Sequence, residues 1–268
     1  MPAQHEIYAL RYATVHRKRR DNFIVADAHE ADMPMDYYVW LIRRGARCWL
    51  VDTGFNASAA AQRKRTMLRC PIDSLQHLGI ASHQVNDVLV THLHYDHAGN
   101  LDKLPTARIH VQERELQYAT GRCMRHDVLR HAYAVDDVVQ VVRSVYDKRV
   151  DFYDGDHEVG DGVQLVHLGG HTAGLQAIRV FTARGWVVLA SDASHFYANA
   201  LGQSPFPIVH HVGDMLDAYG RLMSLCESPD HFIPGHDPLV LQRFPRHGDP
   251  GHEIVRLHEA PLAPLPLL

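Results

Sequence analysis

Three histidines and an aspartate crowd into one short stretch, Thr91-His92-Leu93-His94-Tyr95-Asp96-His97-Ala98-Gly99-Asn100. Imidazole nitrogen and carboxylate oxygen are ligands that Zn²⁺ accepts, at about 2.0–2.2 Å each. So short a loop cannot bring all four side chains onto one ion. His92 and His94 are two residues apart on extended backbone and point the same way. Asp96 and His97 come after the chain turns, so they face a second position. Two ions about 3.5–4 Å apart form a known hydrolytic arrangement. The chain holds 22 histidines, so a bare His-x-His pair carries little weight, and His210-His211 reads as surface or helix start. The full His-x-His-x-Asp-His at the end of a strand is far more specific.

The elements that must position these residues follow from the pattern around them. Val88-Leu89-Val90 is an apolar, β-branched run that reads as a buried strand, and Gly99 loosens the backbone after the motif. Earlier in the chain, Ile7 to Ala13 reads as a first strand. Tyr37 to Ile42 and Arg47 to Val51 flank Arg43-Arg44-Gly45-Ala46 as a hairpin. The second of these strands ends in Asp52, either an extra carboxylate near the site or a loop cap that binds backbone N–H groups; the cap is the favoured reading. A helix is expected from Ser58 to Leu68, capped by Asn56 or Ser58, and a short one from Asp73 to a glycine stop at Gly79. Ala107 to Val111 reads as a strand and Glu113 to Ala119 as a helix. Residues 136–145 fit either helix or strand. The segment at about 121–149 breaks the alternation and reads as an insertion available for substrate contacts. The second half repeats the grammar. Val163 to Leu168 is a strand before Gly169-Gly170-His171-Thr172, Trp186 to Ser191 a strand before Asp192, and His231 to Pro234 a strand before Gly235-His236-Asp237. A helix from Val212 to Cys226 carries an apolar face of Val212, Met215, Leu216, Tyr219, Leu222, Met223 and Cys226.

Four strand-like runs therefore end in ligand-type residues: His92/His94/Asp96/His97, His171, Asp192 and His236. Three of them lie close to glycine, which lets the backbone bend tightly round a site. Together the seven supply two sets of three terminal ligands and one carboxylate, whose two oxygens can bridge two ions. Positions stay open for water.

On these motifs the chain resembles the metallo-β-lactamase superfamily. Leu-Ala-Ser-Asp-Ala-Ser (189–194), Thr-His-Leu-His-Tyr-Asp-His-Ala-Gly-Asn (91–100) and Ile-Pro-Gly-His-Asp (233–237) are most similar to its N-acyl-homoserine lactonase branch. The resemblance covers roughly residues 37–242. It implies an α/β fold, an αβ/βα four-layer sandwich of two facing mixed sheets with helices outside, here as a single domain over 1–268 with a loosely ordered tail from about 261. It implies that His92, His94 and His171 hold one zinc, that Asp96, His97 and His236 hold the other, and that Asp192 bridges. Fe, Mn or Co suit a similar ligand set. The implied reaction is opening of a lactone, with an N-acyl-homoserine lactone and a quorum-quenching role as the branch's instance. A metal-bridging hydroxide attacks the carbonyl, and Asp96 shuttles the proton to the leaving alkoxide. The branch usually carries a tyrosine three residues after the bridging aspartate. Here that position is His195, with Tyr197 two further on, so either His195 or Tyr197 is expected to donate to the oxyanion.

The bulk numbers narrow the alternatives. A 46% hydrophobic and 22% charged composition is that of a soluble globular chain, and a net charge of −4 gives no case for nucleic acid or an anionic membrane. The basic run His16-Arg17-Lys18-Arg19-Arg20 is short and followed by acids, so it reads as a solvated loop. The loop at 16–36, with Phe23-Ile24-Val25-Ala26, is read as lying over the site and as a candidate homodimer contact. Four widely spaced cysteines look reduced, which favours the cytoplasm, and no signal segment or membrane span is seen. A thioester hydrolase of glyoxalase II type is the runner-up, with Arg243, Arg246 and Arg256 as its candidate cationic pocket. A non-catalytic ligand-binding member of the fold is the third reading. His110, His126, His131 and His210 are available to support the ligands.

Overall fold

Strands that are apolar on both faces must be covered on both faces, and the first strands of this chain are of that kind. The computed structural model describes residues 1–25 and 30–265. In it, Tyr37, Val39 and Leu41 face one apolar cluster while Tyr38, Trp40 and Ile42 face another. Cys48 and Leu50 are likewise divided from Trp49 and Val51.

The strands are β1 (Glu6–Val15), β2 (Met35–Arg44), β3 (Arg47–Val51), β4 (Thr66–Met67), β5 (Asp87–Leu89), β6 (Arg108–Gln112), β7 (Val150–Tyr153), β8 (His157–Gly160), β9 (Val163–His167), β10 (Gln176–Thr182), β11 (Gly185–Ser191), β12 (Phe232–Pro234) and β13 (Ile254–Arg256). One sheet runs β13-β1-β2-β3-β5-β6-β7, with β4 paired to β1; the other runs β12-β11-β10-β9-β8. Both are mixed: β3, β5, β6 and β7 are parallel neighbours, as are β11 and β12, and the remaining pairs are antiparallel. The second apolar cluster lies between the sheets, joining Trp40, Ile42 and Trp49 to Leu165, Ile178 and Leu189. Helices cover the outsides. Val138 and Val141 of Val135–Tyr146 pack on the first sheet, and Met215, Tyr219 and Leu222 of Val212–Leu225 join the second cluster. This is the four-layer αβ/βα sandwich that the motifs implied.

Several elements differ from the sequence reading. The helix expected over 58–68 ends at Gln62, because Thr66 and Met67 pair with Thr14 and Ala13 as an edge strand. Its cap is Asn56, whose side chain accepts from the Ala59 N–H. The ambiguous run at 136–145 is helical, with Val138, Val141 and Ser144 inward. In the 212–225 helix, Val212 and Leu216 remain largely exposed, since the helix touches the sheet along a narrower stripe than its apolar residues span. Strands β7, β8, β10 and β13 had not been read from the sequence, in which His231 to Pro234 reads as the last strand. In the 16–36 loop Phe23 is buried whereas Ile24 and Val25 are exposed, and Ala26 lies outside the described residues. The Leu262 N–H donates to the Arg243 carbonyl, and residues 266–268 of the tail also lie outside the described residues. Among the described residues no helix is long and apolar enough to cross a membrane, and all four cysteines are free thiols.

Candidate metal centre

Ligand-type side chains arrive from the carboxyl ends of strands in both sheets. The loop after β5 carries His92, His94, Asp96 and His97; the loop after β9 carries His171; Asp192 follows β11 and His236 follows β12. Two glycines are required by how close these loops come. A Cβ on Gly235 would lie 2.8 Å from the Ser191 carbonyl group and 3.0 Å from Asp192 Oδ1. Gly170 has φ +84° and would meet the Met215 backbone at 2.7 Å. Strain is held on either side of the cluster by two non-glycine residues in the left-handed region, Asp52 (φ 61°) and Ser191 (φ 48°).

The side chains meet around Asp192. Its Oδ2 is 3.1 Å from His171 Nε2, 3.1 Å from His195 Nε2 and 3.7 Å from His92 Nε2. Its Oδ1 is 2.9 Å from His236 Nε2 and 3.3 Å from His97 Nε2. His94 Nδ1 lies 3.0 Å from His171 Nε2, and Asp96 Oδ1 is 3.9 Å from His97 Nε2. The ligand atoms of His92, His94, His171 and Asp192 all lie within 4.8 Å of one another, and so do those of Asp96, His97 and His236. A third such group is Asp192, His195 and His236. All these residues are buried.

The donor set fits metal ions. Four imidazoles have the far ring nitrogen occupied. His97 Nδ1 is 2.7 Å from Asp52 Oδ2, His171 Nδ1 donates to the Ile208 carbonyl (2.7 Å), His236 Nδ1 donates to the Asp36 carbonyl (2.8 Å), and His92 Nδ1 is 3.1 Å from Thr91 Oγ1. Such partners fix the tautomer and turn Nε2 toward the centre as a lone pair. His92 Nε2 and His97 Nε2 are buried with no hydrogen-bond partner among the described residues, a costly state unless a cation takes them. Burial, reinforced by the surrounding imidazoles, pushes His92 and His94 well below the usual histidine range, which is the neutral, ligating form. Burial also acts to lower His97 and His236, but Asp192 and the other nearby carboxylates win and hold both above it. Burial alone would raise Asp192, yet the imidazoles around it keep it well below the ordinary carboxylate range.

Two further carboxylates brace the ligands. Asp52 accepts from the Thr91 N–H and Oγ1–H (both 2.8 Å) as well as from His97, so it is both the expected loop cap and a partner of a ligand. Glu115 is fully buried and accepts from the Leu93 N–H (2.9 Å), Tyr133 Oη (3.0 Å), Thr172 Oγ1 (2.6 Å) and the Gly174 N–H (3.1 Å). It ties the loop of His92 and His94 to the loop of His171. Sequence reasoning missed it, because an acid in the first turn of a helix reads as a solvated capping charge. The 121–149 segment reaches the site through Tyr133, whose ring meets His94 edge-on at 4.6 Å.

Of the two candidate oxyanion donors, the structure brings only His195 to the cluster. His195 stacks on Phe206 (centroids 3.8 Å apart, 7° between planes), and burial holds its imidazole down to about 3. Tyr197 turns the other way. It packs edge-on against Phe232 and beneath Arg243, in the core between the sheets. Residues i+3 and i+5 from Asp192 lie on either side of the start of the helix Tyr197–Leu201, and this start sends them in different directions. His110 is used elsewhere, against Asp87 and Tyr153, and His210 packs on Tyr118.

Fold and site together define a class: the chain belongs to the metallo-beta-lactamase superfamily, whose family model matches residues 33–244. It is 29% identical over 190 residues to an N-acyl homoserine lactonase of a Bacillus species, covering 65% of this chain and 70% of that one. It is 29% identical over 138 residues to the N-acyl homoserine lactonase of Bacillus thuringiensis, about half the length of each. A probable metallo-hydrolase of Mycobacterium tuberculosis is 25% identical over 209 residues, covering 69% of this chain and 65% of the relative. Among solved structures, a quorum-quenching N-acyl homoserine lactone lactonase superposes with a TM-score of 0.75 at 22% identity, over 89% of this chain and 95% of that one. The dizinc quorum-quenching lactonase AidC superposes with 0.71 at 15% identity, over 89% of each chain. At these identities the superpositions establish the fold.

Proposed function

We propose that the protein is a metal-dependent hydrolase that opens a lactone ring, using two zinc ions, with N-acyl-homoserine lactones as the first substrates to try. The observation that carries this reading is the division of Asp192: one oxygen faces His171 and His92, the other faces His236 and His97. His92, His94 and His171 would hold one ion, Asp96, His97 and His236 the other, and Asp192 both. Ions held so would lower the pKa of a water from about 15.7 toward about 7 and polarise a carbonyl. The residues around them do the rest. His195, held neutral by burial, turns Nε2 to the cluster, 3.1 Å from Asp192 Oδ2; with Asp192 engaged by the ions, its N–H would be freed to donate to a carbonyl oxygen as negative charge develops there. Asp96 is the candidate ligand with a slightly exposed side chain; it would accept the proton that the attacking water gives up and hand it to the leaving alkoxide. Glu115 and Asp52 keep the imidazoles aimed.

Two of the three arginines of the glyoxalase-type alternative are already engaged: Arg243 is 2% exposed and bound to Asp230 and the Ala263 carbonyl, and Arg256 is bound to Glu259 and the Arg246 carbonyl, which favours the lactone reading. Metal analysis of the purified protein, beside proton release from lactones, thioesters and β-lactams in a pH-stat, tests the proposal. Two metals per chain and turnover of lactones above the other classes are expected. Turnover of thioesters alone, or of nothing with two metals bound, overturns it.

A further inference from the structure

Two arginines beside the cluster make no ion pair among the described residues. Arg65 donates from Nε to Tyr95 Oη (3.1 Å) and from Nη1 to the Arg63 carbonyl (2.9 Å). Tyr95 Oη lies 3.3 Å from Tyr37 Oη, and the Tyr37 ring meets the ligand His236 edge-on at 5.2 Å. Arg17 belongs to the basic run that read as a solvated loop, but its side chain folds inward. It donates from Nε to Asn22 Oδ1 (2.6 Å) and from Nη2 to the Asp21 carbonyl. Its guanidinium lies 5.0 Å from the Phe206 ring, the same ring that stacks on His195. Aromatic side chains thus carry each guanidinium to the cluster, one through Tyr95 and Tyr37 to His236, the other through Phe206 to His195.

Each arginine keeps a terminal nitrogen with no partner among the described residues, Arg17 Nη1 and Arg65 Nη2. Burial lowers Arg17 and the Arg65 charge adds to this, against Tyr37, Asp21 and Tyr95; burial also acts to lower Arg65, but Tyr37, Tyr95 and Asp96 hold it above the usual range. Neither guanidinium is ion-paired with a carboxylate among the described residues, so each keeps a positive charge and a donor for an incoming anion. An anion with two or three oxygens satisfies both, since guanidinium matches carboxylate and phosphate geometry in a fork.

We propose that Arg17 and Arg65 form an anion subsite, so that the substrate bears a carboxylate or phosphate in addition to the ester carbonyl attacked at the metal centre. This rests on the ester-hydrolase reading above and narrows it: the preferred lactone is charged, unlike a simple acyl-chain lactone.

The test is steady-state kinetics of the zinc-loaded protein on three lactones sharing one ring, carrying a neutral, a carboxylate or a phosphate substituent. The native chain is compared with Arg17→Met, Arg65→Met, the double variant and the two Lys variants. The ratio of kcat/KM for an anionic over the neutral lactone is expected to exceed one by about tenfold, and to fall by about that factor in each Met variant through KM. The Lys variants should recover part of it. Whichever anion gives the larger ratio identifies the source. A ratio near one in the native protein, or one unchanged in the double variant, overturns the subsite while leaving the hydrolase reading intact. Should no lactone turn over, the hydrolase reading fails, and calorimetry with glutarate and inorganic phosphate decides the subsite separately. About tenfold weaker binding of either probe in the double variant supports it, and equal binding overturns it.

Discussion

On one side of Asp192, His92, His94 and His171 form a group of imidazoles braced by Glu115, which touches none of their rings but joins their loops. On the other side, His97 and His236 stand with Asp96, and Asp52 binds the His97 ring directly. The first side is held by positioning backbone, the second by supplying negative charge. The pKa directions record the difference: His92 and His94 are pulled down, whereas His97 and His236 are pulled up. A proton therefore competes with a metal more strongly on the second side.

The most damaging change to this arrangement is at the residue the two sides share. Asp192→Ala should lower lactone hydrolysis by about a thousandfold or more and leave at most one metal per chain. Two tightly bound metals with full turnover would mean that the sides do not meet through Asp192. Next is the brace of the first side. Glu115→Ala leaves four buried donors unsatisfied and should cost about 3–5 kcal/mol, a fall in Tm of roughly 10 °C. Thermal unfolding of the metal-free protein measures it, and a fall of only a degree or two would remove Glu115 from its role.

The brace of the second side predicts something narrower. Asp52→Ala should weaken one metal by about 10–100-fold and leave the other within a few-fold, as read by competition with a chromophoric chelator. Equal loss of both would show that Asp52 acts on the whole loop through Thr91. The smallest effect is on pH. Without metal, His97 and His236 contribute stability that is complete below about pH 6.5 and is lost as pH rises through their elevated values. His92 and His94 do the opposite: being depressed, they cost stability as pH falls below about 6.5. The Tm of chelator-treated protein should then peak near neutral pH, and a Tm that climbs steadily to pH 9 would contradict the difference between the sides.

How much of this was legible varies with how local the signal is. The ligand loop, the strands β1, β2 and β3, and the helix Glu113–Ala119 were readable because periodicity and spacing over ten residues specify them. Strand β10 was not read, although it lies in the middle of its sheet. The 58–68 helix was overextended, because pairing of Thr66 and Met67 with β1 is a non-local event that propensity does not see. Tyr197 was a reasonable candidate by spacing from Asp192, but the start of a helix between them turned its ring into the core.

Residue types and their order along the chain determined the candidate ligands: seven imidazole and carboxylate side chains at strand ends, of the kinds that hold metal ions. Tertiary structure alone decided how each would be aimed. The groups that hold the rings are the backbone carbonyls of Asp36 and Ile208 and the buried acid Asp52, while buried Glu115 holds the loops that carry them. A carbonyl has no letter in the sequence, and a carboxylate's letter does not say whether water or an imidazole will meet it. Packing of the two sheets supplies that information, because it removes the water and leaves each polar atom only the partners within reach.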